Sequence, residues 1–537
     1  MKILLIEKIG RKLTLLALAG VLFCTVSCEH LEVQPKEFTK DKDFLKNFWD
    51  ADFMMRGVYQ GLQNIVEPTF VLGEVRADWV TPGTGKSKDI QELAEHKVTP
   101  NNRYTDWTVY YDLINRANYA IKNLQRVPMD STYFNAKTKR QLTAEAKFLR
   151  CLAYFHLVRN FKDVPFFTES VDDLSKVQYL GATSGDKILD HLETELQEAY
   201  ANTDKVILVL NTFDIGYRDS NEQTRMRATK GTVAALLAHV YCWRNKYQES
   251  WNTLVRMEID AEGATHWTNW GAFGNADWFS FFTTPVVFAE YLLDIAFRYD
   301  TRENNPLMKI ISNDPKSGGL YLVAPSLNAI KSYHPNYPAY ATTLATDDVH
   351  RGFGRSFAGS APYYNRLGSA AVIWKWLGTG VVNPASIDVP PSVRAPYESD
   401  AFFRIFRVAD TWLLRGEVLN RLNRKAEAIS HLNNMRGRAG RPNSTVTVSS
   451  TTEEIENAIL QERGLELGFE GYRWYDLIRI ANHRGGSPQV IIEAVKRRAP
   501  EAMHAHLESW LSNPAHWYLP YNANEIRLNP NLQQKSY

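Results

Sequence analysis

Cysteine is scarce: four residues in a chain of 537. Two of them, Cys24 and Cys28, fall at the N-terminus, so Cys151 and Cys242 remain for the body of the chain, and a disulfide framework is not indicated. Both sit in helix-like apolar stretches and read as small buried hydrophobes. A surplus of charge is also missing. The 62 basic and 60 acidic residues leave a formal net charge of +2, so no global field exists to hold nucleic acid or an anionic membrane surface. No stretch is apolar and long enough to span a bilayer, which takes about 20 residues. Catalytic signatures are missing too: there is no His-Glu-x-x-His and no Gly-x-Ser-x-Gly. Gly83-Thr84-Gly85-Lys86-Ser87 imitates a phosphate loop, but position 80 is Val80 where that motif needs glycine, and a solvent loop is the expectation. His504 and His506 lack further spaced ligands, so no metal or other cofactor is expected.

The N-terminus does carry a signal. Lys2, Lys8, Arg11 and Lys12 precede an apolar run from Leu13 to Val26, too short to span and fitted to the h-region of an export signal. It stops at Thr25-Val26-Ser27-Cys28, which resembles a bacterial lipobox. Cys28 is therefore the expected lipidation site, with residues 1–27 removed and 28–40 forming a tether. Acylation would attach the chain to a membrane without spanning it.

Aromatic residues are plentiful: 14 Trp, 26 Tyr and 25 Phe. Beyond filling cores, flat aromatic faces stack on the C–H face of a sugar ring while its hydroxyls seek polar partners. Helical periodicity runs through Trp107, Tyr111, Ile114, Ala117 and Ile121, and again through Ala144, Phe148, Leu152, Phe155 and Val158. Residues 230–255 and 407–440 each read as helix, turn, helix, with turns at Asn245-Lys246 and near Asn423. These units resemble tetratricopeptide repeats. The fold expected is mainly α: an N-terminal helical scaffold over 41–262, a loop-rich and aromatic-rich insertion over 263–396, and a C-terminal helical region over 397–537. Within the insertion, residues 290–299 and 369–378 have strand-like texture. Trp374, Trp376 and Trp278 read as scaffold or core.

Ordered motifs then accumulate. Arg407-Val408-Ala409-Asp410-Thr411-Trp412-Leu413-Leu414-Arg415-Gly416-Glu417 is followed by Leu432-Asn433 and Arg436-Gly437-Arg438-Ala439-Gly440. Next come Glu462-Arg463, Glu466-Leu467, Glu470-Gly471, Arg473-Trp474, Asp476-Leu477 and Arg479, and finally Leu519-Pro520, Glu525-Ile526, Asn529-Pro530 and Leu532-Gln533. In this order and spacing the chain resembles the SusD/RagB family over essentially its mature length. Three departures stand out: Gly416 in place of Ala, Gln534 in place of Asn, and Lys162 in place of the glycine of a Gly-Asp-Val-Pro turn.

The resemblance implies an α-helical scaffold with an irregular binding part. It also implies an outer-membrane surface lipoprotein, partnered by a TonB-dependent transporter, that captures glycans or, in some members, peptides and is not a catalyst. A role limited to lid or assembly partner is the alternative. Arg76, Asp78 and Trp79, in a segment where such proteins often contact ligand, are candidates for hydroxyl binding and stacking. Trp267, Trp270, Tyr363 and Tyr364, in the aromatic insertion, are the others. Glu462, Glu466 and Glu470 share one helical face and could imitate the carboxylates of a glycosidase. The better reading is an ion-pair network with neighbouring arginines such as Arg463, Arg473 and Arg479.

Overall fold

A computed structural model describes the chain from residue 44 onward, except for 131, 174, 176, 206–225, 261–289, 299–301, 334–350, 352–363, 368–369, 379–393, 395–398 and 536–537. The chain divides into units 1–46 and 47–537; nearly all of the first lies outside the described residues, Cys28 among them, and the second is treated below.

Long helices open the fold. Helix α1 (Phe48–Glu74) starts where the Asn47 side chain accepts from the amides of Trp49 and Asp50. It leads through β1 (Val80–Pro82) and α2 (Lys88–Glu95) to α3 (Thr108–Leu124), α4 (Ala136–Phe161) and α5 (Gly185–Asn202). Helix α4 begins eight residues before its apolar periodicity, because Asn135 caps a polar first turn. The two expected helix pairs follow: α6 (Lys230–Trp243) with α7 (Tyr247–Ile259), and α8 (Val408–Arg421) with α9 (Lys425–Arg438). Each turns on an asparagine with positive φ, Asn245 at 59° and Asn423 at 60°, the side chain after glycine that best tolerates this region. The pairs pack on each other through Ala238, Cys242, Leu254, Leu414 and Val418. Leu419, Ala428 and Leu432 then carry the stack onto Ile455 and Ile459 of α10 (Thr452–Leu467). Helices α11 (Arg473–His483), α12 (Gln489–Arg498) and α13 (His504–Leu511) follow, and a short helix, Ala523–Leu528, comes last.

Strands are short and antiparallel. β1 pairs with β3 (Val323–Pro325), β2 (Tyr291–Ile295) with β6 (Phe403–Arg407), and β4 (Tyr364–Leu367) with β5 (Ala370–Ile373). Both strand-like stretches of the insertion are thus strands in part, although the second turns helical at Trp374–Leu377. Trp374 and Trp376 are buried, as scaffold residues should be.

Candidate functional site

The segment expected to meet ligand is interior. Arg76, Asp78 and Trp79 are 2%, 0% and 0% exposed. The Trp79 ring lies against two glycines of α10 and its end; a Cβ at Gly464 would come within 2.6 Å of it and one at Gly468 within 3.2 Å. Edge-on contacts to Tyr333 and Phe469 complete its pocket. Asp78 accepts from Arg473 Nε at 2.7 Å and from Arg497 Nη2 at 3.0 Å. Burial pushes its pKa up, but the two guanidiniums outweigh that and hold it below the ordinary carboxylate value. Arg76 donates to the Leu72 carbonyl at 2.9 Å and to Asn160 Oδ1 at 2.6 Å, with its guanidinium 5.1 Å from the Trp474 ring centre. The expectation that these three face a sugar is corrected: Arg76 ties the end of α1 to α4, Asp78 ties the segment after α1 to α11 and α12, and Trp79 has no free face. Trp267, Trp270 and Tyr363 lie outside the described residues, as does Trp278; of Tyr364 the structure describes the backbone, in β4.

The glycine loop after β1 is no phosphate cradle. The amides of Gly83 and Gly85 donate to the carbonyls of Leu322 and Tyr321 at 2.8 and 2.9 Å. A Cβ at Gly85 would fall 1.8 Å from the Leu320 oxygen, so the glycines serve close strand approach.

The acidic stripe of α10 is a buried lattice. Glu466 accepts from Arg407 and Arg438 at 2.7 Å and from Arg351 at 2.9 Å. Glu462 meets Arg351 at 2.8 Å, and Glu470 meets Lys375 at 2.6 Å and Arg407 at 2.9 Å. Burial raises the Glu466 pKa, and Arg438, Arg407 and Arg351 more than offset it, leaving the carboxylate ionised well below the usual range. An ion-pair network was expected here, but with other partners: Arg463 binds Asp410 and Asp476, Arg473 binds Asp78, and Arg479 binds Glu417. Cys242, Glu417 and His483 come close enough to share a cation, yet both Glu417 oxygens already accept from Arg479 at 2.6 and 2.8 Å, and burial pushes the Cys242 thiol well up. His504 instead faces the Ala499 carbonyl at 3.2 Å.

An open cleft of about 480 Å³ lies elsewhere, between the N-terminal half of α1, Met226-Arg227, the end of β2 at Asp294-Ile295, and Ala296, Arg298 and Glu303 beyond it. Its floor is fixed by ion pairs. Tyr59 donates to Glu145 at 2.6 Å and accepts from the Ala228 amide at 2.9 Å; Arg227 grips Glu145 with two bonds of 2.9 Å. Asp52 accepts from Arg56 Nε at 2.7 Å. Gln63 donates across the cleft to the Ala296 carbonyl at 2.9 Å. Phe53 stands at the rim, 52% exposed. Sequence reasoning missed this cleft, although one signal was there: Phe53 is out of phase with the buried stripe Ala51, Met54, Met55, Val58 and Leu62 of the same helix.

Comparison with known proteins places this architecture. A family model described as "SusD family" matches residues 299–537, and one described as "Starch-binding associating with outer membrane" matches residues 52–242. SusD-like protein P38 of Formosa agariphila is 28% identical over 483 residues, 84% of this chain and 88% of that protein. SusD-like protein P25 of the same organism is 24% identical over 555 residues, covering 95% and 96%. Among solved structures, a SusD superfamily protein from Bacteroides vulgatus aligns with a TM-score of 0.68 at 19% identity, over 91% of this chain and 99% of that one. A laminarin-binding SusD-like protein aligns with a TM-score of 0.64 at 20% identity, over 91% and 99%.

Proposed function

The chain belongs to the SusD/RagB-like family, and from that premise we propose that it is a surface lipoprotein that binds an oligo- or polysaccharide and delivers it to a TonB-dependent outer-membrane transporter. The observation that carries the proposal is the pair of family matches, one of them described as starch-binding and outer-membrane-associated, covering both halves of a single fold. The laminarin-binding neighbour supports carbohydrate as the ligand class. Binding without chemistry agrees with the non-catalytic role that the family resemblance implies, and with the Glu462, Glu466 and Glu470 carboxylates being spent on arginine and lysine partners. Lipid on Cys28 would hold the protein at the outer membrane; no described helix is long and apolar enough to cross it.

Calorimetric titration of the chain from Glu29 onward against plant, host and microbial glycans, with a peptide mixture as control, tests the binding. Saturable heat with a glycan class is expected, and heat with peptides alone would replace the sugar while keeping the transport role. For the anchor, Cys28→Ala should abolish labelling by a fatty-acid analogue and release the protein from the membrane fraction. A transporter of the TonB-dependent class should co-purify with the anchored form; its absence would remove the delivery step.

A further inference from the structure

We propose that the cleft beside the N-terminal half of α1 is a binding site for a short neutral oligosaccharide, with Phe53 as its stacking face and Gln60, Gln63 and Glu303 as its hydroxyl readers. The proposal rests on the glycan reading above and assigns it a location that the sequence did not suggest.

Size is the first ground. A cleft of about 480 Å³ falls within the roughly 300–1,000 Å³ of small-molecule sites, which combine apolar walls with a few placed polar groups. Met55, Leu62 and Ile295 back the cleft as buried core, and Phe53 and Ala296 are the apolar groups on its accessible side. The second ground is Phe53. A phenyl ring at the rim of a concave site, 52% exposed, gives the C–H face of a sugar ring somewhere to lie, and binding would remove apolar surface that the fold leaves in water. Third, polar capacity remains at that wall. Gln60 is exposed, Glu303 is half-buried, and neither side chain has a hydrogen-bond partner among the described residues; Gln63 uses its amide N–H on Ala296 and keeps its oxygen. An amide oxygen and a carboxylate accept from hydroxyls, and an amide N–H donates to them.

Charge decides the ligand class. Asp52, Asp294 and Glu303 face Arg56, Arg227 and Arg298 around the cleft, so an anionic polymer gains no net field there. Rigidity favours binding as well. The Tyr59–Glu145–Arg227 floor is already hydrogen-bonded, and a pre-organised site spares the cost of ordering its walls.

Titration of the chain from Glu29 onward, and of its Phe53→Ala and Glu303→Gln variants, against laminarin, soluble starch, xylan and mannan, with polygalacturonate and a tryptic peptide digest as contrasts, tests this. Both substitutions lie at partly exposed side chains and should leave the melting temperature unchanged. The expected result is a neutral glycan bound by the parent chain and weakened about ten-fold by Phe53→Ala, the scale of one buried aromatic contact, with a smaller loss for Glu303→Gln. Unchanged affinity in both variants beside a binding parent overturns the cleft and leaves the glycan reading standing. Heat with polygalacturonate or peptide alone overturns the neutral-sugar assignment. Silence of the parent across all neutral glycans overturns both readings.

Discussion

At the scale of single residues, the segment 74–79 shows why chemistry-bearing side chains need their surroundings before they mean anything. Trp79 looks like a stacking platform and is a packing one. Trp79→Ala should cost about 3–5 kcal/mol of stability, the range for truncating a buried Trp, while leaving glycan affinity per folded molecule unchanged; titration beside a denaturant melt separates the two effects. Glu74, five residues earlier, is fully buried and accepts from the Gly471 amide at 2.8 Å. Burial pushes its pKa from 4.5 to about 8, against smaller opposing pulls from Gly471, Lys375 and Arg473. The folded state therefore holds a proton that the unfolded chain has released over most of that interval. With the folded pKa raised, the contribution is fully present below about pH 4.5 and is lost as pH rises to about 8. Glu74→Gln mimics the protonated acid and removes the dependence. Its melting temperature should match the parent near pH 4.5 and exceed it increasingly toward pH 8, by an amount on the order of 2–4 kcal/mol in stability. Parallel melting curves at every pH would refute the assignment of a neutral Glu74.

At the scale of elements, the turn after α4 carries a strained residue. The sequence resemblance implies a glycine where this chain has Lys162, and the structure gives Lys162 a φ of 65° and a ψ of −72°. The Asp163 amide donates to the Phe161 carbonyl at 2.8 Å across it, a three-residue turn of the rare strained hand. Such conformations cost roughly 1–3 kcal/mol for a side-chain-bearing residue, of which glycine recovers part after its own loss of unfolded-state freedom. Lys162→Gly should thus raise stability by about 1 kcal/mol, read as a higher denaturation midpoint at unchanged slope. The helices were legible beforehand because apolar spacing of three and four residues reports a buried stripe directly, and the turns at Asn245 and Asn423 because asparagine punctuates helix pairs. The partners of Glu462, Glu466 and Glu470 were not legible. Arg351, Arg407 and Lys375 lie 111, 59 and 95 residues away along the chain from the glutamates they bind, and neighbourhood in sequence pointed to Arg463, Arg473 and Arg479 instead. The cleft was hidden for the same reason: its walls come from residues near 52–63, from 226–227, and from 294–298 with Glu303, and no local pattern joins them.

At the scale of the whole molecule, two family matches divide the chain near its middle, but its packing does not. Gly471 of the C-terminal part presses on α1 so closely that a Cβ at Gly73 would fall 2.0 Å from its oxygen. Arg473 binds Asp78, Tyr475 donates to Asn160 at 2.9 Å, and the amides of Leu519 and Ala523 donate to the carbonyls of Asn160 and Pro100 at 2.8 and 2.9 Å. Asp78, Glu74, Arg76 and Asn160 are all buried by these contacts. Removing the C-terminal half would put Trp79, now 0% exposed against Gly464 and Gly468, back in water, and each large apolar side chain so exposed forfeits about 1.5–3 kcal/mol, a large share of the 5–15 kcal/mol that holds a domain together. A fragment covering residues 47–260 should therefore keep helical circular dichroism yet lack a cooperative melt and fall quickly to protease, whereas adding residues 290–537 as a separate chain should restore protection. A fragment that melts cooperatively alone would show that the N-terminal helices form an independent domain, and that the Asp78–Arg473 tie is an accessory to the fold instead of a condition for it.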